Sequence, residues 1–364
     1  MLGEHVDYNG GSVLPAAIDL HLQLNFSPRN DRLVVAEATD FSQTVTFSLD
    51  KLNDRCDINS EPLPGWALFP AGVAWSMQKS GLKLPGLNCR YTSSIPIGSG
   101  LSSSAAVEVA FAAAWNYLSG GLLNNTQIAL LAQSAENSYV GVNCGVMDQF
   151  ACANGVAGHV ILLDTRTLDF QPVPLPRGTV IIIADSGERR TLDRSAYNER
   201  RSGCEQALSI LSAHLPGIQT LRKVRSHQLN DLAHLLPDPV NRYARHVVEE
   251  CERVDESVRL LQAGDAPGFG ALMYQCHFSL RDLYQVSTPG LDALVEIASK
   301  SPGCLGARLT GAGFGGCTVN LVVESHASEF VEAIKTGYLV VTGKEALVYQ
   351  CKASAGVKVF PSNQ

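Results

Sequence analysis

Four short segments carry residue types that could cradle phosphate, hold hydroxyl groups or move a proton. Pro96-Ile-Gly-Ser-Gly-Leu-Ser-Ser-Ser-Ala-Ala106 is a Gly and Ser loop running directly into an Ala-rich stretch. Glycines let backbone N–H groups close around an anion, and a helix start adds unpaired donors and partial positive charge. The loop reads as a phosphate cradle. It is not the standard P-loop, because no Lys follows the second glycine and the G-x-x-x-x-G-K-[ST] spacing is absent. A serine-capped helix is the plainer alternative.

Gly3-Glu-His-Val-Asp-Tyr-Asn-Gly-Gly11 places Glu4, His5, Asp7 and Tyr8 within five residues and follows them with two glycines. Such a cluster suits a pocket that grips several hydroxyls of one sugar, and it equally resembles a solvated polar turn. In Cys144-Gly-Val-Met-Asp-Gln149, Asp148 lies between Met147 and Phe150 and is expected to be partly buried. A buried carboxylate has either a charge partner or a task. Leu309-Thr-Gly-Ala-Gly-Phe-Gly-Gly-Cys317 contains a literal G-x-G-x-x-G in Gly311, Gly313 and Gly316. A dinucleotide site needs that pattern to open a helix, whereas the stretch after Cys317 is strand-like, so a glycine turn between two strands is expected instead.

The elements that must position these residues are of both kinds. Short apolar runs beside Gly and Pro predict strands at 13–22, 33–38, 44–49, 160–163 and 179–184. Helical periodicity predicts helices at 66–80, 103–117, 126–139, 196–213, 239–261 and 291–300, with a further helix at 328–336. The stretch 164–177, broken by Pro172, Pro174 and Pro176, is the linker candidate. The expected fold class is mixed α/β (α+β) in two lobes, 1–176 and 177–364, with mixed sheets, packed helices and an active-site cleft between the lobes.

A chain of 364 residues exceeds the size at which one core usually stops growing, and 45% apolar with 17% charged residues is enough to fill cores. A net charge of −7 leaves no nucleic-acid footprint, so any phosphate site must be local. The ten cysteines are scattered without C-x-x-C or metal-ligand spacing, which fits free thiols in a reducing cytoplasm. No apolar run is long enough to span a membrane, and the first ten residues do not read as a signal peptide.

Taken together, GEHVDYNGG, PIGSGLSSSAA, CGVMDQF and LTGAGFGGC, in that chain order, resemble the GHMP kinase superfamily, and the first resembles its galactokinase branch. SAYNERRSGCE at 195–205 adds a fifth match. The resemblance implies a GHMP kinase fold and ATP-dependent phosphorylation of galactose at its anomeric oxygen, with ATP and Mg²⁺ required. It implies that Glu4, His5, Asp7, Gly145 and Tyr197 bind the sugar, that Asp148 is catalytic, and that Gly98, Ser99, Gly100, Leu101, Ser102, Ser103 and Ser104 wrap the ATP phosphates. Ser104 and Glu136 are implied as metal ligands, although spacing alone does not separate Ser103 from Ser104. Trp66 and Phe69 either border the adenine or belong to the core.

Two departures stand out. The family signature carries an Arg three residues before Met1, so the chain as given is expected to start after that Arg and its strand, through a late start assignment or a truncation, with lowered turnover. Ala312 stands where many relatives carry Gly. A kinase for N-acetylgalactosamine, arabinose or a uronic acid is the neighbouring reading, and a catalytically weak sugar-binding and ATP-binding paralogue is the reading from a different class.

Overall fold

The computed structural model describes residues 1–189 and 194–361, the side chains of 194 and 195 excepted. Two compact units emerge, each discontinuous in sequence: Met1–Asp19 with Ile97–Leu101 and Val156–Ser354, and Leu20–Pro96 with Ser102–Gly155 and the C-terminal stretch from Ala355. The expected division at residue 176 is thus one of chain order, whereas the compact units interleave. No helix of the described residues is long and apolar enough to cross a membrane.

The first unit holds two sheets. β1 (Ser12–Val13), β6 (His159–Asp164) and β7 (Phe170–Pro174) form one of them, in the order β1-β6-β7. β7 lies in the stretch read as a linker. Its prolines cannot donate to a ladder, and its place at the sheet edge is where strands tolerate them. The second sheet has the order β11-β8-β10-β9, from β8 (Thr179–Asp185), β9 (Cys304–Leu309), β10 (Cys317–Val323) and β11 (Leu347–Cys351), all antiparallel. The glycine cluster therefore joins two paired strands, as its context predicted. Val180, Ile182 and Ala184 of β8 pack with Leu294 of α9 (Pro289–Lys300) and with Phe330, Ile334 and Tyr338 of α10 (Ala327–Thr342).

The unit also holds α5 (Arg194–Ser212), α6 (Ser226–Leu232), α7 (Val240–Ala263) and α8 (Ala266–Asp282). α8 escaped the sequence reading because Pro267, Gly268 and Gly270 blur its periodicity. Pro267 falls in the first turn, where its missing N–H costs nothing. Gly270 lets the helix touch β9 backbone to backbone, since a Cβ there would lie 2.0 Å from the carbonyl oxygen of Leu305.

The second unit has one sheet, β2-β5-β3-β4, built from β2 (Leu22–Arg29), β3 (Leu33–Ala38), β4 (Gln43–Ser48) and β5 (Gly86–Ser93). Only β3 and β5 run parallel. The strand expected over 13–22 is not continuous: β1 ends at Val13 and β2 begins at Leu22. β2 and β5 were missed. β2 lies at an edge with alternate residues exposed, and so carries little apolar signal. The unit's helices are α1 (Leu68–Lys79), α2 (Ser103–Leu118), α3 (Asn125–Ala135) and α4 (Met147–Asn154). The helix expected to run to 139 changes character at Glu136, where a π-helical turn, Glu136–Val140, takes over.

Candidate active site

Within the first unit the turn at residues 3–11 is tightly determined. His5 has φ 64°, a left-handed conformation rare for a residue with a Cβ. Its Nδ1 lies 2.8 Å from the Tyr8 hydroxyl and its Nε2 3.1 Å from the carbonyl oxygen of Ala312. The ring also packs against Tyr197 and Tyr284, with centroids 5.6 and 4.8 Å away. Tyr8 continues the chain to the Tyr284 hydroxyl at 2.9 Å. Asp7 is half-buried, and its Oδ1 accepts the N–H of Tyr8 at 3.0 Å. Thr165 Oγ1 lies 2.9 Å from the carbonyl oxygens of both Asp7 and Gly11 and holds the turn by sharing its one proton between them. Glu4, His5, Asp7 and Tyr197, implied by the resemblance to bind sugar, thus share one region of this unit.

Glu4 is fully engaged on one side. Its Oε1 accepts from Arg308 Nη2 at 2.5 Å, from the N–H of Gly311 at 2.8 Å and from Thr310 Oγ1 at 3.3 Å. Burial opposes the Glu4 charge, but Arg308 and the other donors hold its carboxyl below the usual range. Sequence reasoning named none of Arg308, Tyr284, His246 or Glu250. The only signal for Arg308 was its place three residues before Gly311. Ala312 is not at a positive φ, unlike Gly311 and Gly313 at 72° and 79°, so its methyl group meets no backbone objection.

The Gly and Ser loop puts alternate residues at positive φ: Gly98 at 71°, Gly100 at 81° and Ser102 at 58°. Such alternation turns successive N–H groups inward, the arrangement that binds anions. Ser102 precedes α2 without capping it by a side-chain hydrogen bond, which removes the plain serine-cap reading. Ser99 is buried, and Ser103 and Ser104 open the helix half-buried.

Within the second unit, α2 and the π turn bring carboxyls together. Gln149 Nε2 donates to Glu136 Oε2 at 2.6 Å and to Glu108 Oε2 at 3.0 Å. Cys144 Sγ donates to Glu136 Oε2 at 3.4 Å. Burial pushes the Glu136 carboxyl up, the Asp148 charge adds to this, and the Ser104 hydroxyl among other donors works against it. Burial also pushes Glu108 well up, helped by Glu136. Glu108 Oε1 and Gln149 Oε1 are buried without a hydrogen-bond partner. Asp148, in the first turn of α4, is half-buried as its neighbours predicted. Ser104, Glu136 and Asp148 therefore converge, and Gly145 follows Cys144 in the same cluster. Trp66 sits in a 3₁₀ turn before α1, parallel to Phe41 at 6.4 Å and bound through Nε1 to Gln43 at 2.7 Å.

Three family models match: GHMP kinases N terminal domain over 69–156, GHMP kinases C terminal over 257–339, and the galactokinase galactose-binding signature over 1–28. The fold agrees, since the mevalonate kinase of Methanococcus jannaschii superposes with TM-score 0.67 at 18% identity, covering 97% of this chain and 95% of that one. These findings define an ATP-dependent kinase of the GHMP class. The galactokinase of Chloroflexus aggregans is 44% identical over 365 residues, 100% of this chain and 92% of the relative. That of Roseiflexus sp. is 43% identical, covering 98% and 90%. The Lactococcus lactis galactokinase complexed with galactose superposes with TM-score 0.92 at 33% identity, covering 98% of this chain and 91% of that one. The chain belongs to the galactokinase family.

Proposed function

We propose that this chain transfers the γ-phosphate of ATP to the anomeric hydroxyl of D-galactose, giving galactose 1-phosphate and ADP. The observation that carries the reading is the turn at residues 3–11, which falls inside the stretch matched by the galactose-binding signature and holds His5 in a left-handed conformation among Tyr8, Tyr197 and Tyr284. A rigid polar and aromatic surface suits a sugar, whose hydroxyls need fixed partners and whose C–H face packs on rings.

Glu4, His5 and Asp7 then select the hydroxyl pattern, with Tyr197 and Gly145 completing the contacts. Asp148 accepts the proton of the anomeric hydroxyl as that oxygen bonds to the γ-phosphorus. The bond from phosphorus to the β,γ-bridging oxygen breaks, and ADP leaves. A base so placed contributes on the order of 10² to 10⁴ in rate. The N–H groups of Gly98 to Ser104 receive the phosphates.

Ser104 and Glu136 fit Mg²⁺: they are oxygen donors, few in number, and the cluster contains buried carboxyl and amide oxygens that lack partners. The ion would neutralise phosphate charge during transfer.

The test is to supply ATP, Mg²⁺ and galactose and follow ADP release together with the phosphorus NMR spectrum of the sugar. Galactose-dependent ADP and an anomeric phosphate support the reading. ADP release unaffected by galactose, or phosphate on another oxygen, overturns it.

A further inference from the structure

One face of α7 lies against the turn at residues 3–11. His246 and Glu250 stand four residues apart on it, so their side chains leave the helix on the same side, and both are fully buried. Glu250 Oε1 accepts the backbone N–H of Gly3 at 2.7 Å. His246 Nε2 lies 3.1 Å from the carbonyl oxygen of Glu4. A carbonyl can only accept, so His246 carries its proton on Nε2, and its Nδ1 then accepts the Ser279 hydroxyl at 2.9 Å. The imidazole is committed to one tautomer.

The Glu4 carbonyl belongs to the peptide unit that leads into His5, and the carbonyl of His5 itself accepts from Asn9 Nδ2 at 2.9 Å. Both peptide planes flanking His5 are therefore pinned, which holds the residue at its φ of 64°. A non-glycine residue keeps such a conformation only where its surroundings over-determine it. We propose that His246 and Glu250 are positioning residues for sugar recognition, fixing the backbone before His5 so that the side chains of His5 and Asp7 meet the sugar in the right orientation. This rests on assigning residues 4, 5 and 7 to the sugar site.

The electrostatics agree with a fixed frame. Burial lowers His246 to about 3, which keeps the ring neutral at ordinary pH. Glu250 is brought down to about 2 because Arg253, whose Nε donates to its Oε2 at 2.7 Å, and its other partners outweigh the burial that opposes its charge.

The test compares His246→Leu, His246→Gln, Ser279→Ala and, as a control, Asp7→Ala, all in the full chain, by galactose KM, ATP KM, kcat and melting temperature. The Gln amide nitrogen can donate from near the Nε2 position, whereas Leu cannot. We expect His246→Leu to raise galactose KM by about ten-fold or more with ATP KM unchanged, and Gln to restore galactose KM to within about three-fold of the parent. Equal galactose KM for Leu, Gln and parent, whatever the loss in melting temperature, overturns the proposal and leaves the pair a purely structural one. Should the Leu variant not fold, Ser279→Ala decides, since it releases only Nδ1: a rise of about three-fold in galactose KM alone supports the positioning role, and no rise refutes it. An unchanged galactose KM in Asp7→Ala refutes instead the assignment of this turn to the sugar.

Discussion

Acidic side chains are buried in both compact units, yet they live under opposite rules. Beneath the turn at residues 3–11, Glu4 faces Arg308 and Glu250 faces Arg253, and both carboxyls are held below their usual range. In the cluster around the π turn, Glu108 and Glu136 share one amide, and among the described residues neither forms an ion pair with Lys or Arg. Both are pushed upward. The first region pairs each of these carboxyls with a guanidinium and acts as a frame, although Arg253 Nη2 is itself buried without a partner. The second crowds carboxyls that burial pushes towards the neutral form and leaves Glu108 Oε1 and Gln149 Oε1 without partners, so an added cation would gain there.

The sharpest way to break this contrast is to alter chemistry in the second region. Asp148→Asn keeps the shape of α4 and removes the base, so kcat should fall by about 10³ or more while ATP affinity stays near the parent value. Turnover within a few-fold of the parent would remove Asp148 from the reaction.

Next in size is a break in the first region. Arg308→Met leaves Glu4 buried and unmatched, which should cost about 3 to 5 kcal/mol of stability, whereas replacing both members with apolar residues should recover much of it. Denaturant unfolding of the single and double variants reads this directly. Equal losses in both would mean that the pair is not the frame.

Smaller again is Asp7→Ala, for which galactose KM should rise by about 10- to 200-fold and ATP KM hardly at all. A rise in ATP KM instead would move this turn away from the sugar.

The mildest test uses acid. His246 has its folded pKa below its unfolded value, so the unfolded chain binds the extra proton, and stability present above pH 6.5 is lost as pH falls from 6.5 towards about 3. Glu250 adds its own loss between 4.5 and about 2, because its folded pKa is also depressed. Melting temperature should therefore decline below pH 6.5, and His246→Gln should flatten the upper part of that decline. Identical profiles would show that His246 is not the group that titrates.

The motifs were legible because each is local. GEHVDYNGG, the Gly and Ser loop and CGVMDQF state their chemistry within about ten residues, and the strand after Cys317 was enough to reject a dinucleotide site. What the sequence hid depends on long-range pairing. Arg308, His246 and Glu250 read as ordinary polar residues until β9 and α7 bring them to the N-terminal turn. β7 was masked by its prolines and α8 by its glycines, in both cases because an edge position or a backbone contact overrides the local signal. The π turn at Glu136 leaves helical periodicity nearly intact and so passed as continuous helix.

The distance along the chain between Glu4 and Arg308, a separation of 304 residues, also sets an order of events during synthesis. Nearly all of the second unit, 20–96 and 102–155, leaves the ribosome before α7 and β9 exist. The turn at residues 3–11 emerges well before them and is framed among the last. Until α7 arrives, the peptide before His5 lacks its contact with His246, and until β9 arrives Glu4 lacks Arg308. Closing so long a loop is slow relative to local helix formation. The segment with the plainest chemistry in the sequence is thus the one that a nascent or interrupted chain completes late, and a chain stopped short of residue 308 carries the motif without its geometry.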